Sequence, residues 1–345
     1  MPKPIQNASS PTTQIESTPK LVDSFGRAIT YLRLSVTDRC DFRCVYCMAE
    51  EMTFVPRAQL CTLEELAQIA QAFTELGVTK IRLTGGEPLI RRSVETLLGE
   101  LGAIKALNEL VITTNGSHLK EHAQALKDAG VKRINVSLDT LDPIQFKELT
   151  RTGDLAKVLE GIDYCKSLNF ARIKLNAVIL KHRNLDQVIP LIEFAKNHQL
   201  DISFIEEMPL GVITEHQRDQ EFVSSAQLRE LITECFDIET SSENTGGPSR
   251  YWQVKGSSTK IGFISPHSEN FCASCNRVRV SAEGKLLLCL GNEHAVDLKA
   301  VLRAHPNNIE KLKQAIVNAI GKKPEKHHFE QDDVQIVRFM NATGG

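Results

Sequence analysis

The chain has 345 residues, enough for about two ordinary domains or for one large α/β barrel with an appendage. Its 41 Lys and Arg residues against 43 Asp and Glu leave a net charge of −2, which excludes a global field of the kind that draws proteins to nucleic acid or anionic membranes. Hydrophobic residues at 41% and charged residues at 24% exclude disordered and collagenous classes, and the longest apolar run, Leu286 to Leu290, falls far short of the roughly 18 residues of a membrane span.

In chain order, residues 1–24 read as a disordered extension, with four prolines among the first twenty residues and no apolar core of a signal peptide. Six β-rich runs then alternate with segments of helical period: YLRLSV (31–36), TKIRLT (79–84), ELVITT (109–114), KRINVS (132–137), RIKLNAV (172–178) and DISFIE (201–206). Thr62 and Glu65 form a capping box before a helix carrying Leu63, Leu66, Ala67, Ala70 and Phe73 on one stripe, and Gly77 suits its end. Leu155, Val158, Leu159, Ile162 and Cys165 repeat the pattern. Regular βα alternation without a nucleotide-binding GxGxxG turn predicts an α/β fold, a partial (βα)6 TIM-type barrel over 25–210. After Met208 the rhythm changes to a helix near 224–236, a Gly/Ser/Pro loop at 241–249, short strands to 290 and two helices. This predicts an appended C-terminal subdomain over 211–325 and a tail over 326–345, whose KKPEKHHF reads as solvated.

Strand alternation sets Arg33, Ser35 and Thr37 against Leu32, Leu34 and Val36. It likewise sets Lys80, Arg82 and Thr84 against Ile81 and Leu83, Asn135 and Ser137 against Ile134 and Val136, and Lys174 and Asn176 against Ile173 and Leu175. The apolar faces meet the helices, so the polar faces point into the barrel. Four cations aimed at one lumen require water or anions there.

Nine cysteines, an odd number in a chain too large to need disulfide staples, favour a reducing compartment with metal or catalytic use, and hence the cytoplasm. The sequons at Asn7 and Asn341 are then chance matches. Cys40, Cys44 and Cys47 follow the first strand at the end where barrel enzymes keep their active sites. Three thiolates on a tight loop suit three irons of a cubane cluster and leave the fourth iron open; a zinc site with a distant fourth ligand is the alternative. The next strand ends in Thr84-Gly85-Gly86-Glu87-Pro88, where two glycines permit close backbone approach to a ligand and Glu87 offers an acceptor for an ammonium group. CxxxCxxC followed by GGEP one βα unit later, with Tyr46 before the third cysteine, resembles the radical S-adenosylmethionine (SAM) superfamily. In that superfamily SAM chelates the open iron, and an electron from the cluster cleaves it to a 5′-deoxyadenosyl radical.

Cys272, Cys275 and Cys289 form a second set, for which spacing leaves open a zinc ribbon completed by Cys235, His267 or His294. Arg277 and Arg279 share one face of the strand leaving it, and their planar forks suit phosphate oxygens. With LRLSVTDRCDFRCVYC, KIRLTGGEPLIRR, TTNG, RINVSLD, FIEEMPLG, FCASCNRVRVSAEGKLLLCL and the terminal Gly344-Gly345, the chain from about Phe25 onward resembles the GTP 3′,8-cyclase family of molybdenum cofactor biosynthesis.

That resemblance implies two 4Fe-4S clusters, one on Cys40, Cys44 and Cys47 and one on Cys272, Cys275 and Cys289. It implies SAM contacts from Tyr46, Gly86, Ser137 and Met208, and GTP contacts from Arg33, Arg82, Thr113, Lys174, Arg277 and Arg279, with Lys80 assisting. A tail whose Gly344 and Gly345 enter the barrel would aid radical transfer. It further implies a homodimer, a flavodoxin- or ferredoxin-type electron donor and a pyranopterin monophosphate synthase that takes the product. Cys61, Cys165 and Cys235 are left as buried or partly buried thiols. The sequence departs from the family pattern at Ser203, where an arginine is usual, and at Thr343, where isoleucine is common. The competing readings are another two-cluster radical SAM enzyme acting on a peptide or nucleotide, and a non-catalytic zinc-bound module.

Overall fold

The computed structural model describes residues 21–213, 216–243, 245–327, 329 and 336–344. Six strands follow the predicted runs: β1 (Tyr31–Ser35), β2 (Lys80–Thr84), β3 (Glu109–Thr114), β4 (Val131–Ser137), β5 (Arg172–Val178) and β6 (Asp201–Ile205). They pair in sequence order, all parallel. The helices between them are α1 (Leu63–Glu75), α2 (Val94–Gly102), α3 (Leu119–Asp128), the pair α4 (Pro143–Thr150) and α5 (Leu155–Ser167), and α6 (Val188–His198). Their buried stripes and the apolar strand faces form one continuous core outside the lumen. The capping box of α1 is made as its sequence predicts: Thr62 Oγ1 accepts from the Glu65 backbone at 3.2 Å, and Glu65 Oε2 accepts from the Thr62 backbone at 2.9 Å. Gly77 follows that helix at φ +96, in the left-handed region glycine favours.

The strands after Met208 extend the barrel sheet at both edges. After the short α7 (Arg218–Glu221) and α8 (Ser225–Thr233) come β7 (Ile238–Thr240), β8 (Arg250–Val254) and β9 (Lys260–Ile264). The antiparallel β7–β8–β9 meander lays β9 parallel to β6. β10 (Arg277–Val280) lies parallel to β1, with β11 (Lys285–Leu287) and β12 (Ala295–Asp297) antiparallel beyond it. One twelve-stranded sheet results, with eight parallel strands in a row, two more than the six βα units predict. The helices α9 (Leu298–Ala304) and α10 (Ile309–Ile320) pack on α1, held by Arg303 to Glu65 at 2.7 Å and Lys313 to Glu75 at 3.1 Å.

Three expectations change. Residues 21–24 belong to the fold and not to an extension: Leu21 is buried and accepts a backbone bond from Ile29 at 2.7 Å, while residues 1–20 lie outside the described set. Within KKPEKHHF, Lys323 and His327 are buried, and Lys323 Nζ donates to the Leu288 carbonyl at 2.6 Å, so the stretch docks on the fold and is not solvated throughout. Cys61 and Cys165 are buried as expected, but Cys235 is exposed just past the end of α8. No helix among the described residues is long and apolar enough to cross a membrane.

Candidate active site

Parallel pairing fixes where the two cysteine sets sit. Cys40, Cys44 and Cys47 follow the C-terminal end of β1, whereas Cys272 and Cys275 precede the N-terminal end of β10, the parallel neighbour of β1. Cys289 follows β11, which runs antiparallel to β10 and so returns to that same end. The two sets therefore face each other across the length of the strands, about 16 Å for five residues.

One cavity brings together Cys40, Cys44, Cys47, Tyr46, Gly86, Ser137 and Met208 with Arg33, Arg82, Thr113, Lys174 and Arg279, and no cysteine of the second set lines it. Lys80 lines it as well. Arg277 is not part of it: this guanidinium, 4.9 Å from the Phe271 ring centroid, lines a neighbouring cavity with Cys275.

At the first cysteine loop, burial pushes the Cys47 thiol up to about 12, and burial with the Glu87 and Asp41 carboxylates raises Cys40 further. Cys44 is also raised by burial, then by its neighbours Cys47, Asp139 and Cys40. Soft sulfur donors so reluctant to ionise alone suit a site that a metal deprotonates, and three thiols lining one cavity fit a cluster with an open iron. Tyr46 donates to Asp139 Oδ2 at 2.7 Å, and burial pushes that carboxyl up to about 6.

The glycine turn does something other than the sequence suggests. A Cβ on Gly86 would lie 2.2 Å from the Arg39 carbonyl oxygen, so the close approach is to the cysteine loop itself. Gly86 and Glu87 donate backbone bonds to Thr37 and Arg39 carbonyls at 2.7 and 2.8 Å, which locks the loop to β2. Glu87 is not available to an ammonium group. Fully buried, it accepts from Leu89 N, Thr114 Oγ1 and Asn115 N at 2.9, 2.8 and 2.6 Å, and burial pushes its carboxyl up to about 7.

At the second set, burial pushes the Cys275 thiol up, but Arg277 and Lys323 outweigh it and hold it below its ordinary value. Cys289 is raised, chiefly by burial, and feels Lys323, Cys272 and Cys275. The three thiols are thus neighbours, and the cations beside Cys275 favour its thiolate. Of the zinc-ribbon completions, Cys235 is exposed and His267 Nε2 is bonded to the Glu207 carbonyl at 3.0 Å. Among the described residues no three His, Cys, Asp or Glu side chains converge as a single-ion site would require.

Register builds the cation wall. Arg279, Arg33 and Arg82 are successive Cα partners across β10, β1 and β2. Among the described residues none of them, and neither Lys174 nor Arg277, has a carboxylate partner. Lys174 is held instead by hydroxyls, with Nζ 3.1 Å from Ser203 Oγ and 3.4 Å from Tyr251 Oη. Burial, then repulsion from neighbouring arginines, holds Arg279 well below its ordinary value. A buried Arg82 among half-buried cations without carboxylate partners suits a polyanion.

Gly344, buried at φ +77, offers its carbonyl oxygen to Arg33 Nε and Nη2 at 3.1 and 2.9 Å and to Arg279 Nη1 at 3.1 Å. Gly345 lies outside the described residues. Asn341, a sequon in sequence, is 2% exposed and donates to the Asp38 carbonyl at 2.7 Å, which closes it to glycosylation. Sequence reading missed Asn341, Tyr251 and Tyr31 as site residues; Tyr31 shares a strand face with Arg33, and that alternation was its available signal.

Residues 34–195 match the radical SAM superfamily and residues 200–329 the family described as Molybdenum Cofactor Synthesis C. The chain is 60% identical over 326 residues to a GTP 3′,8-cyclase of Saccharophagus degradans, covering 94% of this chain and 98% of the relative. It is 58% identical over 327 residues to a GTP 3′,8-cyclase of Pseudomonas putida (strain W619), with the same coverage. In fold it resembles the crystal structure of Streptococcus suis SuiB bound to S-adenosylmethionine, with a TM-score of 0.61 at 18% identity over 90% of this chain and 78% of the other. The chain belongs to the GTP 3′,8-cyclase family of radical SAM enzymes.

Proposed function

We propose that this chain converts GTP to 3′,8-cyclo-7,8-dihydro-GTP, the first step of molybdenum cofactor biosynthesis. The observation that carries the reading is the single cavity with a three-thiol loop at one end and the carboxylate-free cations Arg33, Arg82, Arg279 and Lys174 along its wall. A likeness to SuiB bound to its precursor peptide also exists, but at 18% identity it concerns the fold, and a peptide has no evident use for so many unpaired cations.

Cys40, Cys44 and Cys47 would hold one 4Fe-4S cluster, and Cys272, Cys275 and Cys289 the other. When bound, the clusters and SAM supply the one-electron and hydrogen-abstraction chemistry. The protein's own part is orientation. Tyr46, Gly86, Ser137 and Met208 border the SAM end, and Gly86 presses the cysteine loop into place. Arg33, Arg82, Arg279 and Lys174 bind the triphosphate, with Thr113 fixing Arg82 through a 2.9 Å bond to Nη1. Lys80 Nζ donates to the Thr245 carbonyl at 2.9 Å and so holds the segment 245–249 at the lumen. Gly344, on the same guanidiniums, places the tail beside the substrate, and the enclosed lumen keeps water from reactive species. The family resemblance supports action as a cytoplasmic homodimer that takes electrons from a flavodoxin- or ferredoxin-type donor and passes its product to a pyranopterin monophosphate synthase. Anaerobic turnover of GTP with SAM and dithionite tests the reading, with the cyclised nucleotide as the expected product.

A further inference from the structure

The cation wall contains one acidic group that the reading above does not use. Tyr31, two residues before Arg33 on β1, is 2% exposed and lines the lumen. Its hydroxyl oxygen accepts from Arg82 Nε at 2.5 Å, and Lys80 Nζ lies 4.9 Å from its ring centroid. Strand register sets Lys80 on one side of Tyr31 and Arg277 on the other.

The charges facing the phenol come from every neighbouring element. β1 itself supplies Arg33, β2 supplies Lys80 and Arg82, and β10 supplies Arg279, while the Arg277 guanidinium turns to Phe271 in the neighbouring cavity. From β3 comes Glu109, but its carboxylate is already engaged by Lys80 at 3.0 Å and by Arg133 of β4 at 2.5 Å. Lys174 of β5 closes the circle and is occupied by Ser203 and Tyr251. Among the described residues, the remaining acceptors of Arg33, Arg82 and Arg279 are neutral: the Thr113 hydroxyl and the carbonyls of Ile112 and Gly344. The Tyr31 oxygen is therefore the titratable acceptor on that row of three guanidiniums.

We propose that Tyr31 is the resident counter-ion of the lumen, ionised while no nucleotide is bound and protonated from solvent when polyphosphate takes over Arg33 and Arg82, so that GTP binding takes up one proton. The inference rests on the reading of these cations as the phosphate site. The step balances as phenolate plus a solvent proton giving phenol, with no other bond changed. Burial pushes the phenol up, but Arg82, Arg33 and Lys80 outweigh it and bring it down to about 7. A phenolate beside a phosphate would place two anions in one poorly solvated site, whereas a neutral phenol still accepts from Arg82 and also donates to a phosphate oxygen.

Below the free-state value of about 7 the phenol is already neutral and binding takes up nothing from it. Above it, each rise in pH makes uptake harder, so GTP affinity falls, approaching about tenfold per pH unit until the bound-state value is reached.

The test uses the anaerobic protein carrying both clusters, titrated with GTP by calorimetry at about pH 8 in two buffers of different ionisation enthalpy. Wild type is expected to take up close to one proton more per GTP than Tyr31→Phe; protons belonging to GTP's own phosphates cancel in the difference. Iron content and SAM binding equal to wild type show that the variant is folded. Equal proton counts in the two proteins overturn the proposal. Should Tyr31→Phe not fold, wild type alone decides, since an affinity that does not fall between about pH 7.5 and 9 also overturns it. A failure of both proteins to bind GTP at all would instead overturn the phosphate-site reading.

Discussion

Arg33 and Gly344 stand 311 positions apart in the chain and are joined by two hydrogen bonds, from Nε and Nη2 to one carbonyl oxygen. The guanidinium assigned to substrate phosphate thus also holds the tail, and Arg279 makes a third bond to the same oxygen. The proposed phosphate site and Gly344 share their cations.

Deleting Gly344 and Gly345 should consequently separate binding from chemistry. GTP affinity should hold or rise, because Arg33 and Arg279 are released, while cyclised product falls more than tenfold and both clusters remain. Gly344→Ala should act in the same direction. Its Cβ would lie 2.3 Å from Thr84 Oγ1, and φ +77 adds strain of about 1–2 kcal/mol. Anaerobic single-turnover assays check both; undiminished cyclisation by the truncated protein would remove the tail from the account.

Arg279→Ala removes a half-buried charged donor and should weaken GTP binding by about 1.5–3 kcal/mol, roughly 10- to 150-fold, with SAM affinity unchanged. Arg277→Ala should cost less, since that guanidinium lies against Phe271 in the neighbouring cavity. Equal loss of both ligands in either variant would indicate a folding defect.

The usual family arginine is not accommodated at position 203. Ser203 is fully buried, its Oγ lies 2.9 Å from Ser249 Oγ and 3.1 Å from Lys174 Nζ, and a Cβ on the facing Gly262 would already be 2.4 Å from it. Ser203→Arg should lower both the melting temperature and GTP affinity. Ser203→Ala should cost only about 1 kcal/mol. A Ser203→Arg protein that melts at the wild-type temperature and binds GTP more tightly would show that space exists beside Lys174.

The two cysteine sets lie at opposite ends of the parallel strands, so each should load without the other. Cys40→Ala should abolish SAM cleavage and retain about half the iron of the two-cluster protein. Iron near zero in an otherwise folded variant would mean that the sites are coupled through the β1–β10 pairing.

Local pattern carried the sequence reading a long way. Alternation placed Arg33, Lys80, Arg82 and Lys174 on the lumen face, and Thr62, Glu65 and Gly77 bounded α1 to within a residue or two. What stayed hidden depends on pairing between distant segments. Nothing in the residues of β9 or β10 names β6 and β1 as their neighbours, so the sheet's two extra parallel strands and the opposition of the cysteine sets emerge only in three dimensions. Alternation put Arg277 with Arg279, yet strand end and strand middle open into different cavities. Glu87 read as a free acceptor because two of its three donors, Thr114 and Asn115, lie at the end of β3, and Lys323 read as solvated because its acceptor, Leu288, is 35 residues away.

The most direct measurement is product analysis by mass spectrometry after anaerobic incubation of the two-cluster protein with GTP, SAM and dithionite. The account predicts a product isomeric with GTP, bonded between ribose carbon 3′ and guanine carbon 8, formed together with 5′-deoxyadenosine. Deoxyadenosine released while GTP remains unchanged, by protein carrying both clusters, would contradict it.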